Sequence, residues 1–147
     1  MTRKIIIDCD PGQDDAVALL LAFASPELEV LGVTTVGGNV PLELTHRNAR
    51  MICDIAGVNV PVFAGCDRPM RRPLKTAEYI HGETGIDGID VFEPATPLQP
   101  QHGVDFIIET LLAADDNSIT LVPTGPLTNI GSVIEREPRV LPKIERI

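Results

Sequence analysis

The chain has 147 residues, 44% hydrophobic and 22% charged, with 12 Lys and Arg against 21 Asp and Glu and a formal net charge of −9. A polypeptide of this size buries about 70% of its unfolded surface without a disulfide or metal staple, and its composition excludes disordered and collagen-like classes. The negative charge disfavours nucleic acid and anionic membranes as partners, and a chain with no Trp, one Tyr and four Phe offers little for base stacking.

The first predicted element is the β-branched run Ile5 to Ile7, a buried parallel strand that ends at Asp8-Cys9-Asp10-Pro11-Gly12. Asp14 to Ala24, rich in Ala and Leu and stopped by Ser25-Pro26, reads as a helix, with Pro11 suited to serve as its first residue. Leu28 to Val36 is a second strand, broken by Gly37-Gly38-Asn39. Pro41 to Ala56 is an amphipathic helix with Gly57 as its stop. Val60 to Ala64 is a short strand. Residues 65–101 carry five prolines together with Gly82, Gly85 and Gly88, too many for regular structure, and a connection of that length in a compact domain is commonly functional. Val104 to Ala114 is a helix, Ile119 to Val122 a strand and Leu127 to Arg136 a helix, and Pro142 to Ile147 leads into another strand. The alternation predicts one α/β domain: an open, mostly parallel sheet with flanking helices. The three cysteines, at 9, 53 and 66, form no C-x-x-C pair, which favours a reducing compartment. The apolar run after Met1 is too short for a signal peptide, and none approaches the ~20 residues of a membrane span, so a cytoplasmic protein is expected.

Chemistry is concentrated at the end of the first strand. Asp8, Asp10, Asp14 and Asp15 fall within eight residues, with no Lys or Arg among them. One or two acidic residues at a helix start are explained by capping and the helix dipole. Several between an apolar strand and an apolar helix raise one another's pKa unless a cation offsets them. An all-oxygen cluster without His or Cys ligands suits Ca²⁺ or Mg²⁺, and in open α/β sheets ligands bind beyond the carboxyl ends of strands.

The segment Asp8-Cys9-Asp10-Pro11-Gly12-Gln13-Asp14-Asp15-Ala16 resembles the D-x-D-P-G-x-D-D-A signature of the nucleoside N-ribohydrolases. Gly37-Gly38-Asn39, Ile80-His81-Gly82-Glu83-Thr84-Gly85 and Val122-Pro123-Thr124-Gly125-Pro126-Leu127-Thr128-Asn129 follow in the family's order, and the loop string is most similar to that of pyrimidine-preferring bacterial members. The resemblance implies a Rossmann-like core and Ca²⁺-dependent hydrolysis of the N-glycosidic bond of ribonucleosides. It implies Ca²⁺ ligation by Asp10, Asp15 and the backbone carbonyl of Thr124, with Asp10 also the general base. It implies ribose binding by Asp14 and Asn39, and places His81 on the base side of the pocket. It further implies a homo-oligomer, and a chain that corresponds to the N-terminal part of a single domain, so that 1–147 lacks the second half of the site. Asp8 matches the signature with no ligand role and reads as a carboxylate that orients neighbouring groups.

Several residues keep plainer readings. Asn39 after two glycines suits a turn of positive φ. His46 and His102 read as surface or capping residues, Asn48 as a satisfied buried amide, and Cys9 as a small buried side chain. Two other functions compete. Asp8-Cys9-Asp10 and a later strand ending at Thr124 resemble the motifs of a haloacid-dehalogenase-like phosphatase, but that reading leaves Asp14, Asp15 and the His81 loop unexplained. The other is an inactive α/β fragment that binds metal or a partner.

Overall fold

The computed structural model describes residues 2–147. Its centre is a six-stranded sheet formed by β1 (Arg3–Cys9), β2 (Leu28–Thr35), β3 (Val62–Ala64), β4 (Leu98–Gln99), β5 (Ile119–Pro123) and β6 (Ile144–Arg146), in the order β4-β3-β2-β1-β5-β6. Every pairing is parallel. The helices are α1 (Gln13–Ala24), α2 (Leu42–Ala56), the single turn α3 (Glu78–His81), α4 (Gly103–Ala113) and α5 (Thr128–Arg136). A 3₁₀ segment, Pro138–Lys143, leads into β6.

β1 runs through the middle and is covered on both faces, which is why its sequence is a continuous apolar run rather than an alternating one. Ile5, Ile7 and Cys9 pack with Leu19 of α1 and Ile52 of α2. Ile6 points the other way, into a second cluster with Val104, Ile107 and Leu111 of α4 and Ile130 and Val133 of α5. Ile6 is completely buried, a contribution of about 1.5–3 kcal/mol for a side chain of that size. The chain moves outward from β1 through β2 and β3 to one edge, then returns to start β5 on the other side of β1. The strand order therefore reverses between β1 and β5, and the ends of these two strands open the crevice where such sheets bind ligands.

The predicted elements are present, with differences at their ends. α1 starts at Gln13 with Gly12 as its cap residue, so Pro11 lies outside the helix. The bend at Gly12 leaves Asp14 and Asp15 in the first turn, where the helix dipole favours them. α2 ends at Gly57, whose left-handed φ of 65° turns the chain so that Val58 N–H reaches the Cys53 carbonyl, while Gly57 N–H donates to the Asp54 carbonyl. β3 starts at Val62 rather than Val60. The segment 65–101 is not wholly irregular. It contains α3 and β4, and β4 pairs with β3 through Val62–Leu98 and Phe63–Gln99. Its return limb is anchored by Asp54, whose carboxylate accepts from the N–H groups of Ala95 and Thr96 and from the Thr96 hydroxyl. His102 caps α4, its Nδ1 accepting from Val104 N–H at 3.2 Å. Cys9, Cys53 and Cys66 are free thiols. Among the described residues no helix is long and apolar enough to cross a membrane.

Candidate active site

Strand register fixes where the carboxylates stand. Asp8 is level with Thr34 of β2 and Pro123 of β5, so Asp10 emerges just past the sheet, beside the turn after β2 and the turn after β5. A cleft of about 360 Å³ opens there, lined by Asp10, Asp14, Asp15, Gly38, Asn39, Lys75, Ala77, His81 and Thr124 to Pro126. All six residues singled out in the sequence thus border one cavity, although they come from four separate stretches of chain.

Asp10 is 5% exposed and held on two sides. Its Oδ2 accepts from Asn39 N–H at 2.7 Å, and the Asn39 side-chain amide donates to the Asp10 carbonyl at 2.9 Å. The approach is close because position 38 is glycine: a Cβ there would lie 2.1 Å from Asp10 Oδ2. Asn39 is not a left-handed turn residue; the one non-glycine residue with positive φ among those described is Asn117. Its position answers to Asp10 instead.

Asp15 is equally buried and borders the cleft beside Thr124. Burial pushes the Asp10 carboxyl up to about 6, against the bond from Asn39 and with help from the neighbouring Asp15 and Asp14 charges. Burial also raises Asp15, with the Asp14 charge adding to it. Buried acids held together in this way are stabilised as anions by a cation between them. The oxygen-only donors suit a hard one. Among the described residues no three His, Cys, Asp or Glu side chains form a metal-holding group. The expected set contains only two, Asp10 and Asp15, and draws its next oxygen from the main chain. Two carboxylates and one carbonyl fit part of a shell that takes six to eight oxygens for Ca²⁺.

The long segment reaches this cleft at 75–81. Ala77 N–H donates to the Asn39 carbonyl at 2.7 Å. His81, the last residue of α3, has Nδ1 3.0 Å from Gln13 Oε1. Asn48 ties the same segment down from α2, its Nδ2 donating to the carbonyls of Pro11 (3.2 Å) and Thr84 (2.9 Å). The Asn48 Oδ1 has no partner, so this buried amide is a tether and not the fully satisfied one expected.

Asp8 lies outside the cleft. It is fully buried, its Oδ1 accepting from Thr34 Oγ1 at 2.5 Å and Asn129 Nδ2 at 2.7 Å, while Oδ2 has no partner. Burial raises its carboxyl to about 6, with the two hydrogen bonds opposing. Lys75 lines the cleft without having been legible in the sequence, and neither was Thr34 as a partner of Asp8 nor Gln13 as a partner of His81. Asn129 stood inside a recognisable string, but nothing in that string pointed to a partner 121 residues away.

Against known proteins, the model of the family described as inosine-uridine preferring nucleoside hydrolase matches residues 5–147. This chain belongs to that family. The inosine-uridine preferring nucleoside hydrolase of Leishmania major is 47% identical over 150 residues, which cover 100% of this chain and 48% of that one. The pyrimidine-specific ribonucleoside hydrolase RihB of Escherichia coli O139:H28 is 49% identical over 146 residues, 99% of this chain and 46% of that one. The solved structure of the plant nucleoside hydrolase PpNRh1 superposes with a TM-score of 0.91 at 33% identity, covering 98% of this chain and 46% of that one. The chain therefore spans about half the length of the nucleoside hydrolases it matches. Membership in this family leaves the phosphatase reading unsupported.

Proposed function

We propose that the intact protein hydrolyses the N-glycosidic bond of ribonucleosides, purine or pyrimidine, to ribose and free base, using Ca²⁺. The observation that carries this reading is the convergence of Asp10, Asp14, Asp15, Asn39, His81 and Thr124 on one cleft at the β1/β5 crossover, in a family named for the activity.

Asp10, Asp15 and the Thr124 carbonyl would hold the cation. Bound there, the ion would supply positive charge that acidifies water and favours oxygen groups of the substrate. Asp10 takes the proton of the attacking water. The water oxygen bonds to the anomeric carbon as the C–N bond breaks, its electron pair leaving with the base through an oxocarbenium-like transition state. Asp14 and Asn39 orient the ribose hydroxyls, and His81 faces the base. Remaining oxygen ligands come from water, substrate and the region of the relatives that this chain does not span, so the 147 residues alone are expected to bind metal with little turnover. Assembly as a homo-oligomer and a cytoplasmic location, with which three unpaired thiols accord, complete the reading.

The test is release of base from uridine and inosine by the intact protein before and after chelation. Hydrolysis that disappears with chelator and returns with added Ca²⁺ supports the proposal. Hydrolysis indifferent to chelator removes the metal, and absence of any nucleoside cleavage removes the function.

His81 supplies a second expected result. With Nδ1 facing Gln13 Oε1 at 3.0 Å, Nε2 is the ring nitrogen left open to a pyrimidine carbonyl. His81→Ala is expected to lower kcat/KM and shift the uridine-to-inosine ratio, while Tm stays nearly constant because a half-exposed rim residue contributes little to folding. An unchanged ratio at unchanged rates would place His81 outside the substrate's reach.

A further inference from the structure

The first turn of α5 carries an amide that the proposed chemistry does not use. Asn129 is fully buried, and its side chain bonds three different segments. Nδ2 donates to Asp8 Oδ1 at the end of β1 (2.7 Å) and to the Thr35 carbonyl at the end of β2 (3.0 Å). Oδ1 accepts from Cys66 N–H just after β3 (2.8 Å). The surroundings are closed around it: a Cβ on Gly65 would lie 2.3 Å from Asn129 Oδ1 and 2.4 Å from Nδ2. A buried polar group returns its desolvation cost only through such bonds, and an apolar side chain would fill the same space at lower cost.

Each segment that Asn129 holds runs within a short distance into the cleft. Asp8 is two residues before Asp10. Thr35 leads to Gly38 and Asn39. Cys66 opens the segment that returns at Lys75 and His81, and its carbonyl also accepts from Gly37 N–H at 2.9 Å. α5 itself follows Thr124. Asp10 and Asn39, which meet through two hydrogen bonds, therefore sit at the tips of two strands whose ends are joined by one side chain from a third direction.

We propose that Asn129 is a positioning residue, clamping the ends of β1, β2 and β3 so that Asp10 and Asn39 keep one mutual geometry toward the ribose; the catalytic part of this inference rests on the hydrolase reading above. Asn129 touches no substrate and acts through Asp8 and Thr35. Without it, Asp8 is held by Thr34 alone and Cys66 N–H is left without its acceptor.

Two variants test the proposal. Asn129→Ala removes all three bonds. Asn129→Asp keeps the size and the acceptor for Cys66 but loses both donated bonds. In the intact protein, at a temperature where circular dichroism shows the variants folded, kcat for nucleoside hydrolysis is expected to fall about tenfold or more, with KM changing much less. Amide exchange in the 147-residue chain gives a readout independent of turnover. The Asn39 N–H, protected by Asp10, is expected to exchange about tenfold faster in both variants relative to Ile6 and Leu121. An Asn39 amide protected as in the wild type overturns the proposal. So does a lower Tm with kcat of the folded protein unchanged, or failure of both variants to fold, either of which assigns Asn129 to folding alone. Wild-type protein that cleaves no nucleoside, while Asn39 protection still depends on Asn129, overturns the hydrolase reading and supports the clamp.

Discussion

Asp10→Asn in the intact protein is expected to lower kcat for nucleoside hydrolysis by about 10²–10⁴-fold, the range associated with loss of a positioned general base. The substitution is nearly isosteric. The new amide oxygen can still accept from Asn39 N–H, as Asp10 Oδ2 does at 2.7 Å, and the Asn39 side chain still finds the backbone carbonyl of residue 10. The turn after β2 therefore stays in place, and KM is expected to change by only a few-fold. What disappears is a carboxylate able to accept the water's proton. Because Asp10 would also bind the ion, Ca²⁺ affinity falls too, and assays at saturating Ca²⁺ separate the two losses. A kcat within threefold of the wild type under those conditions would assign the proton transfer to another residue.

Gly38→Ala is expected to cost about 10²-fold in kcat/KM, the scale of a misplacement near 1 Å at a reacting group. The added methyl would lie 2.1 Å from Asp10 Oδ2, 2.8 Å from Cγ and 3.0 Å from Cβ. Rotation of the carboxylate alone does not clear all three atoms. Either Asp10 swings away from Asn39 N–H or the turn carrying Asn39 retreats, and both separate groups that the mechanism needs together. Overpacking of a buried position typically costs about 1–3 kcal/mol of stability, so the variant is expected to fold with a lowered Tm. Near-normal kcat/KM in the variant would mean that the Asp10–Asn39 contact is not part of the working geometry.

What could be read from the sequence followed from how local each signal is. Ile5 to Ile7 and Ile119 to Val122 announce buried parallel strands because both faces of the sheet are covered, and Gly57 marks a helix end because its backbone must turn left-handed. The carboxylates were legible for the same reason, lying within one strand-to-helix junction. β4 was not. It consists of Leu98 and Gln99 at the sheet edge, too short to show periodicity. α3 is one turn between stretches rich in proline and glycine, and it forms where Ala77 is pinned to the Asn39 carbonyl, a contact made 38 residues apart in sequence. Pro11 misled because a proline before an acidic pair fits a first helical turn, whereas here the bend at Gly12 intervenes. Nothing local announced the partner of Asn129 or of Thr34, since their relation to Asp8 exists only once three strands are side by side.

The order β4-β3-β2-β1-β5-β6 also sets a sequence of assembly. β1, β2 and β3 are joined by single short crossovers, so their pairing closes modest loops and can form early. The β1–β5 pairing, Lys4 with Ile119 through Asp8 with Pro123, spans about 115 residues of chain, and contacts so far apart in sequence carry the larger entropy of closure and form slowly. Thr124 and Asn129 both arrive with β5. The half-sheet that bears all four aspartates is thus expected to gather its acidic charge before Thr124 and Asn129 are in place, so that the cleft takes its full shape only once β5 has paired with β1.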